Sequence, residues 1–228
     1  MALAAERVAI ENLSPAINGG RFPAKGVIGR AFIVEADIFS DGHDRIGASL
    51  QTRPKGAERW DEVPMLHIGN DRWRGRVRFD AIGPHEYRIT AWRDLFASWQ
   101  EDTAKKEAAG QPIGLELIEA RELIADAVKT HEGTAEDRAA LDAIHEALED
   151  ASEGAAFALL MNGETTTLMR RAGPRIDLTE YRWIPVWIDR EKALVSAWYE
   201  LFPRSMSFDM ERHGTFDDVI ERLSYIRD

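Results

Sequence analysis

The chain has 228 residues, 44% of them hydrophobic and 30% charged, and carries a formal net charge of −11. That length bounds it to one large domain or two small ones, with ample apolar material for a core. The negative charge disfavours nucleic acid, whose binders carry basic patches, and an anionic membrane surface, and the absence of cysteine excludes a disulfide framework, a thiolate metal site and a cysteine nucleophile.

The opening stretch, MALAAERVAIENLSP, places Glu6 and Arg7 where an export signal needs an apolar run. No stretch of about 18 apolar residues is present to span a bilayer. The expectation is a cytoplasmic protein without membrane partners.

The first hundred residues predict strands. Arg72-Trp73-Arg74-Gly75-Arg76-Val77-Arg78-Phe79 alternates at period two, with Trp73, Val77 and Phe79 on one face and four arginines on the other. Phe32, Val34, Ala36 and Ile38 alternate likewise, as do Tyr87, Ile89 and Ala91. Turn signals separate the runs at Asn18-Gly19-Gly20, Ser40-Asp41-Gly42, Pro54-Lys55-Gly56, Gly69-Asn70-Asp71 and Gly83-Pro84. Short strands at this spacing predict an antiparallel β-sandwich of immunoglobulin type.

Near residue 100 the period changes to helical. Leu115, Ile118, Leu123 and Val128 lie at helix spacing, then Leu141, Ile144 and Leu148, then Phe157, Leu159 and Leu160. Thr134 with Glu136 and Asp137 marks a helix start. Residues 101–153 hold 15 acids and 5 bases, so 5 − 15 = −10 of the net charge sits there. After Gly173-Pro174, Pro185-Val186-Trp187-Ile188 reads as a strand able to complete the sandwich. Ala193 to Phe202 reads as another. Thr215 and Asp218 open a last helix, Phe216 to Ile226, whose apolar residues Phe216, Val219, Ile220, Leu223 and Ile226 share one face. Two arrangements fit: helices inserted into the sandwich, or three sequential units. The tail either begins a parallel α/β fold or joins the sandwich edge.

The four arginines at 72, 74, 76 and 78 form a basic strip in an acidic protein. It reads either as a solvated sheet face or as a dock for acidic helices of this chain or of a second copy. Among the histidines (43, 67, 85, 131, 145 and 213) no paired metal spacing occurs.

Glu11-Asn12-Leu13-Ser14-Pro15 followed by Gly19-Gly20-Arg21-Phe22-Pro23-Ala24-Lys25 resembles the opening of the maltosyltransferases that extend α-1,4-glucans from maltose 1-phosphate. Val34 to Asp44, Gly69 to Gly75, Tyr199 to Ser205 and His213 to Phe216 carry the same resemblance. It implies kinship with family 13 glycoside hydrolases, in which a (β/α)8 catalytic barrel follows a sandwich interrupted by a helical insert. On that layout residues 1–100 and 174–192 are the sandwich, 101–173 the insert, and 193–228 the start of the barrel. Trp198–Arg204 is its first strand and Phe216–Ile226 its first helix. The resemblance also implies a homodimer with sandwich and insert at the contact, maltose 1-phosphate and α-1,4-glucan as the parent enzyme's substrates, and no cofactor. Its aspartate nucleophile and glutamate acid–base lie on later strands, so no catalytic residue and no metal ligand is assigned in this chain.

Seven tryptophans invite a sugar-binding reading. Trp73 is in phase with the core. Trp92 is out of phase with Tyr87 and Ile89, hence outward, and Trp99 lies at the switch to helix. These two are the candidate glucan contacts, with burial against the insert or the barrel as the alternative. His213 either serves the helix entry or lines the barrel mouth. The leading expectation is a non-catalytic amino-terminal region of a maltosyltransferase. The other readings are a glucan-binding module and a structural protein unrelated to sugar.

Overall fold

The structure, a computed structural model, describes residues 7–131 and 133–227. Two compact units meet at the Asp189/Arg190 boundary. The first contains strands β1 (Val8–Ser14), β2 (Ala24–Val27), β3 (Ala31–Ser40), β4 (Ile46–Pro54), β5 (Asp61–Pro64), β6 (Leu66–Gly69), β7 (Arg72–Arg78) and β8 (Gly83–Arg93). Helices α1 (Leu95–Ala108), α2 (Gly114–Thr130), α3 (Ala135–Glu149), α4 (Glu153–Leu160) and α5 (Gly163–Ala172) follow, then β9 (Ile176–Glu180) and β10 (Ile184–Asp189).

The strands form two sheets. One is ordered β1-β3-β7-β6, the other β2-β10-β8-β4-β5 with β9 also on β8. All pairings are antiparallel except β2 with β10. Their inward residues share one core: Val34, Ala36 and Ile38 from β3 and Val77 from β7 meet Leu50 from β4, Tyr87 and Ile89 from β8, and Ile184 and Ile188 from β10. Phe32 packs edge-on against Tyr87 of the opposing sheet at 5.5 Å between ring centroids. The sheets approach so closely at Gly75 that a Cβ there would stand 2.9 Å from Leu50, which is why the alternating strand carries no side chain at that point. Each fully buried Leu or Ile in this core is worth about 1.5–3 kcal/mol. Tyr87 also donates its hydroxyl to the Pro15 carbonyl, and burial pushes the phenol pKa up.

The helices are an excursion from the six-stranded sheet. The chain leaves at the end of β8 and returns as β9 and β10, both of which pair with β8. Side chains of Asp94, Thr134, Ser152 and Asn162 cap α1, α3, α4 and α5 by accepting from backbone N–H groups. The helices have their own core, including Phe96, Trp99, Leu117, Ile124, Leu141, Leu148, Leu160 and Met169. One sequence expectation is rotated here. Leu115 and Ile118 are 66% and 53% exposed, and α2 buries Leu117, Ala120, Ile124 and Ala127 instead. Two alanines on the inner stripe made the true face look less apolar than its neighbour.

The second unit differs from expectation at its start. No strand forms over Ala193–Phe202; there is a 3₁₀ turn at Glu191–Leu194, then unpaired chain, then a second 3₁₀ turn at Pro203–Ser205. A strand exists only through hydrogen bonds to a neighbour, and the described residues of this unit supply none. The expected helix over Phe216–Ile226 is two short ones, α6 (Phe216–Glu221) and α7 (Leu223–Arg227), broken at Arg222. Its start is as expected: Thr215 donates from N and Oγ1 to Asp218 Oδ2 at 2.6 and 2.8 Å. A closed barrel is not present among the described residues.

Candidate functional site

Two features of the first unit gather functional side chains: the outer face of the six-stranded sheet, and a cleft between the sheet edge and α1. On the outer face, Trp60 and Trp183 stack with centroids 3.5 Å apart and planes 4° from parallel. Arg53 from β4 lies 3.7 Å from the Trp60 ring centroid and 5.1 Å from that of Trp183, and Arg88 from β8 lies 4.1 Å from Trp183 and 5.6 Å from Trp60, so both guanidiniums flank the stacked pair. Glu86 pairs with Arg53 at 2.9 Å and Glu180 with Arg88 at 2.6 Å. Gln51 links Arg88 to Glu62, and Glu62 pairs with Arg175. Arg175 in turn lies over Trp92 at 4.2 Å. Burial alone would push Glu62 up, but hydrogen bonds from Arg175 and Gln51 outweigh it and hold the carboxyl below its ordinary range.

This ladder fixes the fate of the tryptophans. Each indole of the Trp60–Trp183 pair has one face on its partner, and both residues are half-buried. Trp92 does point away from the shared core, as its phase requires, but it is 3% exposed. It lies across Gly47 of β4, where a Cβ would fall 2.5 Å from the indole, with Arg175 on it. Trp92 is thus outward in phase, as expected, and buried because the outer face is covered there by Arg175. Trp99 is 7% exposed, stacks on Phe96 and donates its indole N–H to the Glu116 carbonyl at 2.7 Å. Trp73 is partly buried against the core and donates to the Ile38 carbonyl at 3.2 Å. Trp187 and Trp198, 42% and 94% exposed, are the more open ones. His213 is exposed in the loop before α6. Sequence reasoning missed the Trp60–Trp183 pair because both lie in connections, outside any periodic run.

The arginine strip is partly self-satisfied. Arg72 pairs with Glu35 and Asp37 at 3.1 and 3.0 Å, and Arg74 with Glu35 at 2.6 Å, all across to β3 of the same sheet. Those partners are not on the acidic helices. Arg76 and Arg78 are exposed and have no ionic partner among the described residues.

The buried carboxylates are Asp94, Glu116, Asp137 and Asp218, among the described residues. Each is committed to structure. Glu116 pairs with Lys106, Asp137 with Arg171 at 2.5 Å, and Asp218 with Arg212 at 2.6 Å. Hydrogen bonds from Arg212 and Thr215 hold Asp218 well below the carboxylate range. Asp94 caps α1, accepting from the Ala97 N–H at 3.0 Å. Burial raises its pKa, and the Ala97 hydrogen bond and Arg170 charge oppose this without cancelling it. A native pKa above the unfolded one means the charge opposes folding at neutral pH, and the penalty disappears as pH falls through the carboxylate range. Asp94→Asn keeps the capping acceptor and removes the charge. We expect higher stability than wild type at neutral pH in chemical denaturation, with the gap closing in acid. Lower stability at neutral pH would mean that Arg170 makes the charge favourable. No group of three or more His, Asp or Glu side chains suited to a metal ion occurs among the described residues.

The cleft runs between β6–β7 and α1 in two adjoining parts of about 550 and 520 Å3. Trp73, His67, Arg45 and Glu101 line both.

The first unit is thus a pair of sheets carrying a helical excursion, with its buried carboxylates engaged among the described residues. Comparison with known proteins gives its kinship. Residues 6–190 match the family described as alpha-1,4-glucan:maltose-1-phosphate maltosyltransferase, domain N/S, and the chain belongs to that family. A maltosyltransferase of that name from Cereibacter sphaeroides is 51% identical over 229 residues, covering 100% of this chain and 38% of the relative. The Burkholderia pseudomallei protein of the same name is 40% identical, covering 100% of this chain and 20% of the relative. The Pseudomonas aeruginosa one is 39% identical, covering 99% and 34%. The chain thus spans about a third of the length of most of these relatives. No described helix is long and apolar enough to cross a membrane.

Proposed function

We propose that this chain is the non-catalytic, amino-terminal region of a cytoplasmic maltosyltransferase that passes maltosyl units from maltose 1-phosphate to α-1,4-glucan. The match of residues 6–190 to domain N/S carries this reading. On it, the stacked sheets are an immunoglobulin-like accessory domain, and residues 190–227 are the join to a family 13-type barrel, with His213 near its mouth. The exposure of Trp198, Phe202 and Phe216 at 94%, 72% and 77% supports the join, since such apolar surface calls for cover.

The same reading gives the chain a part in homodimer assembly. The support is electrostatic: Arg76 and Arg78 are exposed and unpaired, and residues 101–153 carry an excess of ten acids by count. Rim charges set orientation and association rate more than affinity, and each surface pair is worth about 0–1 kcal/mol. The double reversal Arg76→Glu with Arg78→Glu tests it by light scattering. We expect a dimeric wild type and a variant shifted toward the mass of a single chain. An unchanged dimer in the variant would remove the sheet face from the contact.

A second reading, a module with its own glucan affinity, is favoured by one observation. The cleft beside α1 is lined by Trp73 amid mixed polar groups, whereas Trp92 and Trp99 are buried.

A further inference from the structure

We propose that Asn18 is a site of self-modification, where the Gly19 amide displaces ammonia from the asparagine side chain and leaves an aspartyl or isoaspartyl residue in the loop between β1 and β2.

The chain holds four asparagines, at 12, 18, 70 and 162. Asn12 donates its side-chain amide to Asp37 at 2.7 Å. Leu13 and Asp71 follow Asn12 and Asn70, and a Cβ on the following residue crowds the nitrogen that would attack. Asn18 and Asn162 each precede glycine, which has no Cβ to crowd it. Both are exposed, so access to water does not separate them. Hydrogen bonding does.

Asn162 is the N-cap of α5. Its Oδ1 accepts the Glu164 N–H at 2.9 Å, and its backbone carbonyl accepts the Thr166 N–H at 3.0 Å. Gly163 is already the first helical residue, with its carbonyl accepting the Thr167 hydroxyl at 2.8 Å. Ring closure there must swing the side chain off the cap and unwind the first turn.

Asn18 carries no such tie. Neither its side chain nor the Gly19 N–H has a hydrogen-bond partner among the described residues. Asn18, Gly19 and Gly20 follow one another at φ of 48°, 63° and 84°, a left-handed run suited to Asn and Gly. The Ile17 carbonyl closes the turn by accepting from Gly20 and Phe22 at 3.1 and 3.3 Å, and Arg182 holds the Gly19 carbonyl. The Arg21 N–H donates to the Asn18 carbonyl at 3.2 Å. That carbonyl shares a peptide group with the Gly19 N–H, so the bond draws electron density from the nitrogen and makes its proton easier to lose.

The reaction uses the chain's own atoms and water. The Gly19 nitrogen gives its proton to hydroxide and attacks Asn18 Cγ. The N–Cγ bond forms, the Cγ–Nδ2 bond breaks, and Nδ2 leaves as ammonia after taking a proton from water. Water then opens the five-membered imide at one of its two carbonyls. Opening at Cγ gives aspartate, and opening at the backbone carbonyl routes the chain through Cγ as isoaspartate. Both products exchange a neutral amide for a carboxylate, and isoaspartate also adds one carbon to the backbone beside the carbonyl that Arg182 holds.

The test is a time course of the folded 228-residue chain in warm, mildly alkaline buffer, digested with trypsin and read by mass spectrometry. Residues 8–21 and 139–170 fall in separate peptides, since each segment has Lys or Arg only at its end. Conversion reads as a gain of one mass unit, split between two chromatographic forms, and fragment ions separate Asn18 from Asn12. We expect conversion at Asn18 at least about fivefold faster than at Asn162, the release of a cap read as a rate. In denaturant the two rates should converge. Equal rates in the folded chain, faster conversion at Asn162, or no conversion at Asn18 would overturn the assignment, as would a gap that persists in denaturant.

Discussion

Trp92→Ala is expected to destabilise the first unit by about 3–5 kcal/mol, the usual cost of deleting a large buried aromatic. The indole is 3% exposed, lies across Gly47 and carries Arg175 on its face. Truncation therefore opens a cavity and frees Arg175, which also holds Glu62. In a unit of this size each kcal/mol moves Tm by roughly 2–4 °C, so a shift of about 10 °C is the expected reading. Denaturant titration checks it, with the midpoint falling at unchanged slope. The matched control is Trp187→Ala on β10 of the same sheet. Trp187 is 42% exposed, and its removal should stay within about 1 kcal/mol. Were Trp92 a sugar contact, the order would invert: stability would hold, and glucan affinity would fall.

That contrast shows how far the sequence reaches. Its alternation places Trp92 on the correct side of β8, because side-chain phase is local. What covers that side is Arg175, some eighty residues on, and no local pattern records it. The same division recurs elsewhere. Arg72–Arg78 is legible as a strand because one face is apolar and the other charged. Ala193–Phe202 is apolar and β-prone, yet forms no strand, since the decision rests with a partner to hydrogen-bond. In α2 the helix is legible but its inner face is not, with alanines taking the buried positions that Leu115 and Ile118 seemed to claim. The arginine strip was visible, but its pairing with Glu35 and Asp37 depends on β3 lying beside β7. Of the site features, the resemblance located the family, and the Trp60–Trp183 pair and the cleft appear only when distant segments meet.

The proposal of a supporting region makes its sharpest demand on chemistry. Retaining transfer of a glycosyl group uses two carboxyl groups about 5–5.5 Å apart, one a nucleophile and one an acid–base. The buried carboxylates here are tied to other work: Asp94 to a helix cap, and Glu116, Asp137 and Asp218 to Lys106, Arg171 and Arg212. The rim of the cleft pairs Glu101 and Asp102 with Lys105. Lys105 and Arg45 hydrogen bonds hold Glu101 below the ordinary carboxylate range, which suits an ion pair and disfavours an acid that must carry a proton at neutral pH. The decisive measurement is phosphate release when the purified 228-residue chain is incubated with maltose 1-phosphate and maltoheptaose as acceptor. A supporting region predicts release no greater than that of a heat-killed sample, while release above that level that scales with protein concentration would contradict it.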